Sequence, residues 1–367
     1  MKFTEYVEVN PKTNLKKGEY APFVEMANVS ITYREPEKIE YKKYTSGPKF
    51  QNGDSVVARI EPCLQNGKRF FWKSDKIGFG STEYIVFRAK EGKMDSKYLF
   101  YLLKTDYIKK SMVSSMVGAT GRQRVNNDIF GQIEIVVPNI EKQKKIGRTL
   151  FLYDDLIENN QKQIKLLEEA AQRLYKEWFV DLRFPGHENT KIVDGVPEGW
   201  SRGLLKELIS VNYGKDHKKA PDDGNIPVYG SGGLMRKCNK SLFSGEAVLI
   251  PRKGSLNNIM YVDETFWTVD TMFYATMKQP HTAVFVYFFV KAFDMYSMNI
   301  GAAVPSMTTK ILDAMDVVIP DKETLEKFDK LTKTYFNKIK TLQGQNERLK
   351  TARDLLLAKL MSGEVEV

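Results

Sequence analysis

Two long stretches of the chain place mostly apolar residues at alternating steps of four and three positions. The first stretch runs through Ile146, Leu150, Tyr153, Ile157, Asn160, Ile164, Leu167, Ala171, Leu174 and Trp178. The second runs through Phe328, Thr332, Tyr335, Ile339, Leu342, Asn346, Leu349, Arg353, Leu356 and Leu360. This spacing is typical of helices that pack along one seam of a coiled coil. We predict a central helix over 139–182 and a C-terminal helix over 321–363, each preceded by a proline.

Each seam contains one asparagine, and these two residues select a register. Laid antiparallel, the seams match when paired positions sum to 506, which places Asn160 opposite Asn346. Registers shifted by whole heptads also satisfy the spacing, but they would leave a buried amide opposite an apolar side chain without a hydrogen-bond partner. We therefore predict an intramolecular antiparallel coiled coil. The alternative is that each helix packs on its own globular domain.

The chain also repeats itself over a long distance. Val136-Val137-Pro138 recurs as Val318-Ile319-Pro320, 182 residues later, and the same offset relates Tyr153 to Tyr335. Repeats of solenoid proteins are much shorter, at roughly 20–50 residues. The pattern therefore indicates a duplicated domain plus helix, with pseudo-two-fold symmetry that suits a ligand made of two halves.

Short apolar runs before each helix are typical of β-strands. They lie at 55–60, 84–88, 133–137, 247–250 and 272–276, separated by turn-forming Asn-Gly and Gly-rich pairs. Helices are expected at 96–109 and 282–295. The predicted fold class is α+β, with two sheet-rich globular domains over 1–138 and 196–320, joined by the two helices and a polar connector over 183–195.

The charge balance favours a polyanionic partner. The chain has 56 Lys and Arg against 46 Asp and Glu, a formal net charge of +10. This excess alone is equally compatible with an ordinary basic protein. The two cysteines have no metal-like spacing, which predicts a reduced, cytoplasmic protein. The most apolar stretch, 283–290, is too short to cross a membrane.

Basic and amide side chains are concentrated on the predicted loops of both domains. In the first domain they are Arg59, Lys68, Arg69, Arg122, Gln123, Arg124, Asn126 and Asn127. In the second they are Lys215, Lys218, Lys219, Arg236, Lys237, Arg252, Lys253, Asn257, Asn258, Thr308, Thr309 and Lys310. Arginine reads guanine, amides read adenine, and lysine binds phosphate. Each residue alone fits a solvated loop position, but their joint density indicates a DNA-binding surface.

Sequence signatures of catalysis are not found. The chain contains no phosphate-binding G-x-x-x-x-G-K-[ST] loop and no G-x-G-x-x-G dinucleotide fingerprint. Its three histidines are scattered, without the spacing of a metal site or a catalytic triad. We therefore expect a non-catalytic protein that needs no cofactor and no metal.

Several segments together resemble the DNA-specificity subunits of type I restriction–modification enzymes. The most specific are 153–160 (YDDLIENN) and 174–181 (LYKEWFVD), followed by Phe184-Pro185. The resemblance continues through 143–146 (QKKI), 196–200 (VPEGW), 252–255 (RKGS) and 357–364 (LAKLMSGE). It covers essentially the whole chain, although the first half has no counterpart of 197–200.

This resemblance implies a specific division of labour. Two target recognition domains would each read one half of an asymmetric bipartite site in double-stranded DNA. The coiled coil would set the spacer and dock two methyltransferase subunits, which motor–nuclease subunits then join. Methyl transfer, ATP hydrolysis and cleavage would belong to those partners. The alternatives are a basic coiled-coil scaffold that binds proteins without reading DNA, and a stand-alone nuclease.

Overall fold

The computed structural model describes residues 1–298 and 306–366 of the chain. Contacts divide the chain into two compact units. Unit 1 comprises Met1–Gln163 with Thr341–Val367, and unit 2 comprises Ile164–Lys340. Each unit therefore contains a globular part and one portion of each long helix.

Unit 1 contains two four-stranded sheets, a two-stranded ribbon and short helices. Its elements, up to the helix that enters unit 2, are β1 (Val7–Val9), β2 (Tyr20–Val24), β3 (Glu40–Lys43), β4 (Lys49–Phe50), β5 (Ser55–Ala58), β6 (Arg69–Phe71), β7 (Gly78–Gly80), β8 (Tyr84–Ala89), α1 (Ser96–Leu102), α2 (Asp106–Ser114), β9 (Met116–Val117), β10 (Arg124–Val125) and α3 (Ile140–Tyr175). The sheets have the strand orders β1-β8-β5-β6 and β3-β2-β7-β4. Apolar side chains of the first sheet, such as Val57, Ile85 and Phe87, form a core with Leu99 of α1.

Unit 2 is built around one larger sheet. A π-helical turn (Lys176–Val180) follows α3, and the remaining elements are β11 (Ile192–Val193), β12 (Val196–Pro197), β13 (Ser201–Leu204), β14 (Ile209–Tyr213), β15 (Ile226–Gly230), β16 (Gly233–Cys238), β17 (Phe243–Pro251), β18 (Met260–Thr268), β19 (Met272–Met277), α4 (Ala283–Lys291), α5 (Thr309–Asp313), β20 (Asp316–Ile319) and α6 (Lys322–Ser362). The six-stranded sheet has the order β14-β19-β17-β18-β15-β16. Helix α4 is apolar around its whole circumference and is buried against it.

The strand connections repeat between the units, which confirms the duplication. In unit 1, β5 pairs with β8 and β6, and β8 pairs with β1. In unit 2, β17 pairs with β19 and β18 in the same way, and β19 pairs with β14. Each unit also has a hairpin whose first strand forms a parallel pair. In the hairpin β2–β3, strand β2 pairs with β7, and in the hairpin β15–β16, strand β15 pairs with β18.

The two long helices begin in equivalent ways. Asn139 accepts a hydrogen bond from the Lys142 amide at 2.9 Å, and Asp321 accepts one from the Thr324 amide at 2.9 Å. Side-chain acceptors at this position satisfy amides that have no partner within the first helical turn. These caps are 182 residues apart, so the internal repeat includes the start of each helix.

The helices pack against each other antiparallel within each unit. In unit 1, the N-terminal part of α3 meets the C-terminal part of α6, where the Asn160 amide donates to Asn346 Oδ1 at 3.0 Å. The Asn346 amide in turn donates to the Ile157 carbonyl at 3.3 Å. In unit 2, Trp178 of the π-helical turn packs on Phe328 of α6. The predicted α+β fold with two long packed helices is confirmed.

Helix α3 also packs on its own globular domain, so the two packing alternatives are not exclusive. Phe151, outside the predicted seam, lies with its ring centroid 5.0 Å from that of Phe71 on β6. It also contacts Phe100 and Tyr101 at the end of α1. The helix therefore buries one stripe against α6 and a second against the sheet-rich part of unit 1.

Two local predictions were wrong. The segment 133–137 forms no regular strand, because its partner is the segment 1–3, which makes a single bridge between Lys2 and Glu134. The equivalent segment in unit 2 pairs over four residues as β20 with β13. The helix predicted over 96–109 is divided into α1 and α2, where the Thr105 hydroxyl donates to the Leu102 carbonyl at 2.7 Å.

The asparagine layer gives a stability prediction for unit 1. Replacing Asn160 by leucine is expected to reduce the free energy of unfolding by about 1–3 kcal/mol, because the buried Asn346 amide loses its side-chain partner. Replacing both asparagines by leucine is expected to restore most of that loss. Chemical denaturation of the two single variants and the double variant measures the coupling. A double variant as unstable as the sum of the single variants would contradict a paired layer.

Candidate nucleic-acid interface

In unit 1, two loops bring most of the predicted residues together. Arg59 follows β5, and its guanidinium donates to the Val125 carbonyl at 3.2 Å. The Arg59 carbonyl accepts from the Val125 amide at 3.0 Å, and Ile60 forms a bridge with Arg124. The loop after β5 is thereby joined to the segment 122–127. We call the combined surface of 59–61 and 118–127 the unit 1 loop cluster.

Several predicted side chains of this cluster are exposed. Arg122, Arg124, Asn126 and Asn127 are exposed, and Gln123 is partly buried. Asn126 accepts from the Asp128 amide at 3.0 Å and so begins the short 3-10 helix Asn127–Gly131. The cluster therefore presents arginine and amide groups on a locally fixed backbone.

Arg124 is paired with the carboxylate of Glu83, which is not among the predicted site residues. Its Nε and Nη2 atoms donate to Glu83 at 2.7–3.0 Å, and its Nη1 donates to the Arg122 carbonyl at 3.2 Å. The Glu83 carboxylate raises the pKa of Arg124. Glu83 precedes β8 directly, and no feature of the sequence indicated that it would meet Arg124.

Two predicted residues of unit 1 are directed into the protein. Lys68 Nζ donates to the Met26 carbonyl at 2.7 Å. Arg69 donates to the Gly67 carbonyl at 3.2 Å and to the Leu103 carbonyl at 3.1 Å. Burial, with a smaller contribution from nearby Arg353, lowers the pKa of Arg69 to about 10. These contacts give both side chains a structural role in joining loops.

Unit 2 repeats the backbone arrangement of the unit 1 loop cluster. Arg252 follows β17, donates its amide to the Thr271 carbonyl at 2.8 Å and accepts from the Met307 amide at 2.9 Å. The Arg59 amide likewise donates to the Glu83 carbonyl at 2.8 Å. Lys253 forms a bridge with Ser306, as Ile60 does with Arg124. Arg59 and Arg252 therefore occupy equivalent positions in their domains.

Arg252 has an aromatic neighbour that Arg59 lacks among the described contacts. Its guanidinium carbon lies 5.5 Å from the centroid of the Tyr213 ring, and Nη1 donates to the Asp270 carbonyl at 3.2 Å. Lys215 is exposed two residues after Tyr213, and Lys253 is also exposed. Arginine stacked on an aromatic ring keeps its planar donors in a defined orientation.

The other predicted residues of this part of unit 2 are fixed by local hydrogen bonds. Asn257 donates to Asp294 at 2.9 Å, and Asn258 donates to the Ser231 carbonyl at 2.9 Å. Thr308 accepts from the Ile311 amide and begins α5, whose first residues are Thr309 and Lys310. We call the surface of 213–215, 252–258 and 306–310 the unit 2 loop cluster.

A second group of predicted residues lies on the β15–β16 hairpin and the loop before it. Lys218, Lys219 and Lys237 are exposed. Arg236 forms an ion pair with Asp222 and donates to the carbonyls of His217 and Ala220, the latter at 2.7 Å. This basic group belongs to a different element from the unit 2 loop cluster.

Other classes of site have little support in the part of the chain that the structure describes. There, no group of three His, Cys, Asp or Glu side chains could hold a metal ion. None of the helices described is long and apolar enough to cross a membrane.

The comparisons with known proteins identify the family. The family model described as "Type I restriction modification DNA specificity domain" matches residues 7–169 and again 197–351. The chain belongs to this family. Each match includes one globular domain and a large part of one long helix, so the resemblance noted in the sequence is confirmed.

Individual members of the family are similar over most of the chain. The type I restriction enzyme MjaIX specificity subunit of Methanocaldococcus jannaschii is 26% identical over 313 residues, which cover 74% of this chain and 69% of that protein. The HindI specificity subunit of Haemophilus influenzae is 24% identical over 415 residues, covering 86% and 87%. The crystal structure of the type I restriction–modification S subunit from M. genitalium has the same fold, with a TM-score of 0.62 over 98% of this chain and 95% of that chain at 18% identity.

Proposed function

We propose that this specificity-family chain is the sequence-reading subunit of a type I restriction–modification complex. Residues 1–138 and 196–320 are the two target recognition domains, and each reads one half of an asymmetric bipartite site in double-stranded DNA. The observation that carries this proposal is the equivalent placement of Arg59 and Arg252 in two loop clusters with different side chains around them. Two loop clusters with the same backbone arrangement and different side chains are suited to recognising two half-sites of different sequence.

The chemistry of the clusters supports base recognition as well as phosphate contact. Arginine donates two hydrogen bonds to the guanine edge, and a carboxylate accepts from cytosine, so Arg124 and Glu83 together match a G·C pair. Arg252, oriented by Tyr213, is the corresponding candidate in the second domain. The exposed lysines Lys215, Lys253 and Lys310 carry the charge that phosphates require.

The long helices set the spacer between the half-sites and dock two methyltransferase subunits, which motor–nuclease subunits join. Exposed leucines on the outer faces of the helices support a docking role. In unit 1 these are Leu152 and Leu156 on α3 and Leu355 on α6, and in unit 2 they are Leu166 on α3 and Leu331 on α6. The chain itself supplies recognition, and the partners supply methyl transfer, ATP hydrolysis and cleavage.

Selection from random duplexes tests this function. The chain, assembled with its methyltransferase partner, is mixed with random duplex DNA at two salt concentrations, and the bound fraction is sequenced. Enrichment of two short motifs with a constant unread gap is the expected result. Binding that only weakens with salt, without any enriched motif, would instead favour a basic scaffold. Cleavage by the chain alone with Mg²⁺ would favour a nuclease.

Single substitutions assign each half-site to a domain. Arg124→Ala is expected to relax selection in one half-site and Arg252→Ala in the other, each by roughly 5–150-fold, because a bidentate contact to guanine contributes about 1–3 kcal/mol of discrimination. The same selection with each variant measures this, and each variant is the control for the other. Equal weakening on specific and random DNA would demote both arginines to phosphate contacts.

A further inference from the structure

The sheet β3-β2-β7-β4 of unit 1 and the segments beside it are basic. The segments 12–24, 38–50 and 73–77 carry nine lysines and three carboxylates, against a net charge of +10 for the whole chain. Two of these carboxylates have local partners. Glu19 accepts from the Lys16 amide at 3.0 Å, and Glu40 forms ion pairs with Lys38 and Lys42 at 2.9 Å. A positive excess therefore remains on these segments, although the loop 25–37 between β2 and β3 adds three glutamates and one arginine.

One face of the β2–β3 hairpin combines this charge with exposed aromatic rings. Tyr20 pairs with Lys43, and Pro22 pairs with Tyr41, which places these side chains on the same face. Tyr20 is 67% exposed and Tyr41 is 57% exposed. Lys43 Nζ lies 5.6 Å from the Tyr20 ring centroid, and Lys76 Nζ lies 5.1 Å from that of Tyr41. Lys76 also donates to the Tyr41 hydroxyl at 3.3 Å.

These groups have the chemistry of phosphate ligands. Ammonium and phenol hydroxyl groups bind the sugar–phosphate backbone. The face formed by Tyr20, Tyr41, Lys43 and Lys76 contains no arginine or amide that would read a base edge. An ammonium lies over each tyrosine ring, so a ring face that a single-stranded base could stack on is already occupied.

Protection of a sheet edge is the simplest competing explanation for the lysines. Strand β3 is an edge strand, and lysine on such a strand discourages pairing with other chains. That explanation does not account for two large exposed tyrosines. It also does not account for Lys76, which lies on the segment before β7 and outside the hairpin.

The equivalent hairpin in unit 2 also carries exposed lysines. The β15–β16 hairpin joins its sheet by the same parallel pair, and it carries Arg236 and Lys237, with Lys218 and Lys219 on the loop before it. Lys16 and Lys17 precede β2 in the same way. The loop 214–225 also carries Asp216, Asp222 and Asp223, and Arg236 is paired with Asp222, so the hairpin of unit 2 is less basic than that of unit 1.

We propose that Tyr20, Tyr41, Lys43 and Lys76 bind the phosphate backbone of duplex DNA without reading its sequence. The proposal rests on the proposed function and extends the DNA contact of the first domain beyond the unit 1 loop cluster. The face contributes affinity and salt dependence, and the loop cluster contributes selectivity.

The test compares Lys43→Ala/Lys76→Ala with the unchanged chain, each in complex with the methyltransferase partner. Binding to a random duplex is measured from low to physiological salt. The slope of log affinity against log salt concentration is negative, and its magnitude is expected to decrease by about 2, since each phosphate contact contributes about 0.9. Affinity at low salt is expected to fall roughly tenfold. The motif enriched from random duplexes is expected to stay unchanged.

Two further variants make the result specific. Lys2→Ala/Lys93→Ala removes the same charge from exposed positions of unit 1 outside this face and is expected to leave the slope nearly unchanged. Tyr20→Phe/Tyr41→Phe keeps the rings and removes the hydroxyls, and it is expected to weaken duplex binding less than the lysine variant. All substituted residues are exposed, and thermal unfolding checks that the fold is retained.

The outcomes separate this proposal from the proposed function. A Lys43/Lys76 variant whose slope and affinity equal those of the Lys2/Lys93 control would overturn the phosphate-binding face, whatever motif is selected. Loss of binding to single-stranded oligonucleotides alone, with duplex binding intact, would also overturn it. Failure of the unchanged chain to enrich any motif would count against the proposed function, while the slope comparison would still decide the role of the face.

Discussion

Replacing Arg353 by alanine is expected to lower the free energy of unfolding of unit 1 by about 3–5 kcal/mol. Arg353 on α6 is 5% exposed and forms an ion pair with Asp154 on α3, which is 3% exposed. Asp154 also accepts from the hydroxyl of Tyr101, and burial, followed by the charge of Asp154, raises the pKa of Tyr101. Without the guanidinium, a buried carboxylate would lose its compensating charge.

The measurement has to report on unit 1 separately, because a chain with two units need not unfold in a single step. Hydrogen exchange of the α3 amides between 150 and 158, with and without the substitution, provides this. Arg348→Ala on the exposed side of the same helix is the matched control and is expected to change little. Asp154→Leu/Arg353→Met is expected to be more stable than Arg353→Ala, since it leaves no unpaired charge. A loss for Arg353→Ala no larger than for Arg348→Ala would contradict the argument.

A neighbouring group of ion pairs fixes the β2–β3 hairpin of unit 1 to helix α3. Arg34, in the loop between β2 and β3, donates to Asp155 and Glu158 of α3, each at 2.6 Å. Its guanidinium carbon lies 4.3 Å from the Phe151 ring centroid. Tyr33 donates to Gln161 at 2.7 Å. Asp155 and Glu158 of the segment 153–160 therefore hold the loop between β2 and β3 on α3. This contact gives the segment, which is part of the family resemblance, a structural role in unit 1.

The helices could be predicted from sequence because their information is local and periodic. Each helix contains its own seam residues and its own asparagine. Asn139 and Asp321, which cap the two helices, stand directly before them in the sequence. The network around Asp154 could not be predicted in this way. It joins α1, α3 and α6, which are far apart in the sequence, so no local pattern shows that these elements meet.

The equivalence of Arg59 and Arg252 was hidden by a difference in loop length. The two residues are 193 positions apart, whereas the helices repeat at 182, so a constant offset does not align them. The basic face on β2–β3 escaped detection for another reason. Strand β3 (EYKK) carries lysine and glutamate in place of an apolar run, and strand β2 (YAPFV) contains a proline, which argues against a strand in the sequence pattern.

The second large effect is expected in unit 2, where aromatic packing joins the helices. Phe328 on α6 is fully buried. Its ring centroid lies 4.8 Å from that of Phe179 and 5.9 Å from that of Trp178, both in the π-helical turn that follows α3. Phe328→Ala is expected to lower the free energy of unfolding of unit 2 by about 3–5 kcal/mol, since it removes a buried ring and leaves a cavity.

Exchange of the α4 amides between 283 and 291 reports this loss, because α4 belongs to the same core as Phe328. Leu331→Ala, exposed on the same helix, is the control. Phe328→Leu fills part of the cavity, so it is expected to lower the free energy of unfolding less than Phe328→Ala does. Phe328 and α4 share the core of unit 2, whereas 150–158 belongs to unit 1, so Phe328→Ala should accelerate exchange in α4 and leave 150–158 unchanged. Equal acceleration in both segments would show that the chain unfolds as one body and would refute the division into separately stabilised units.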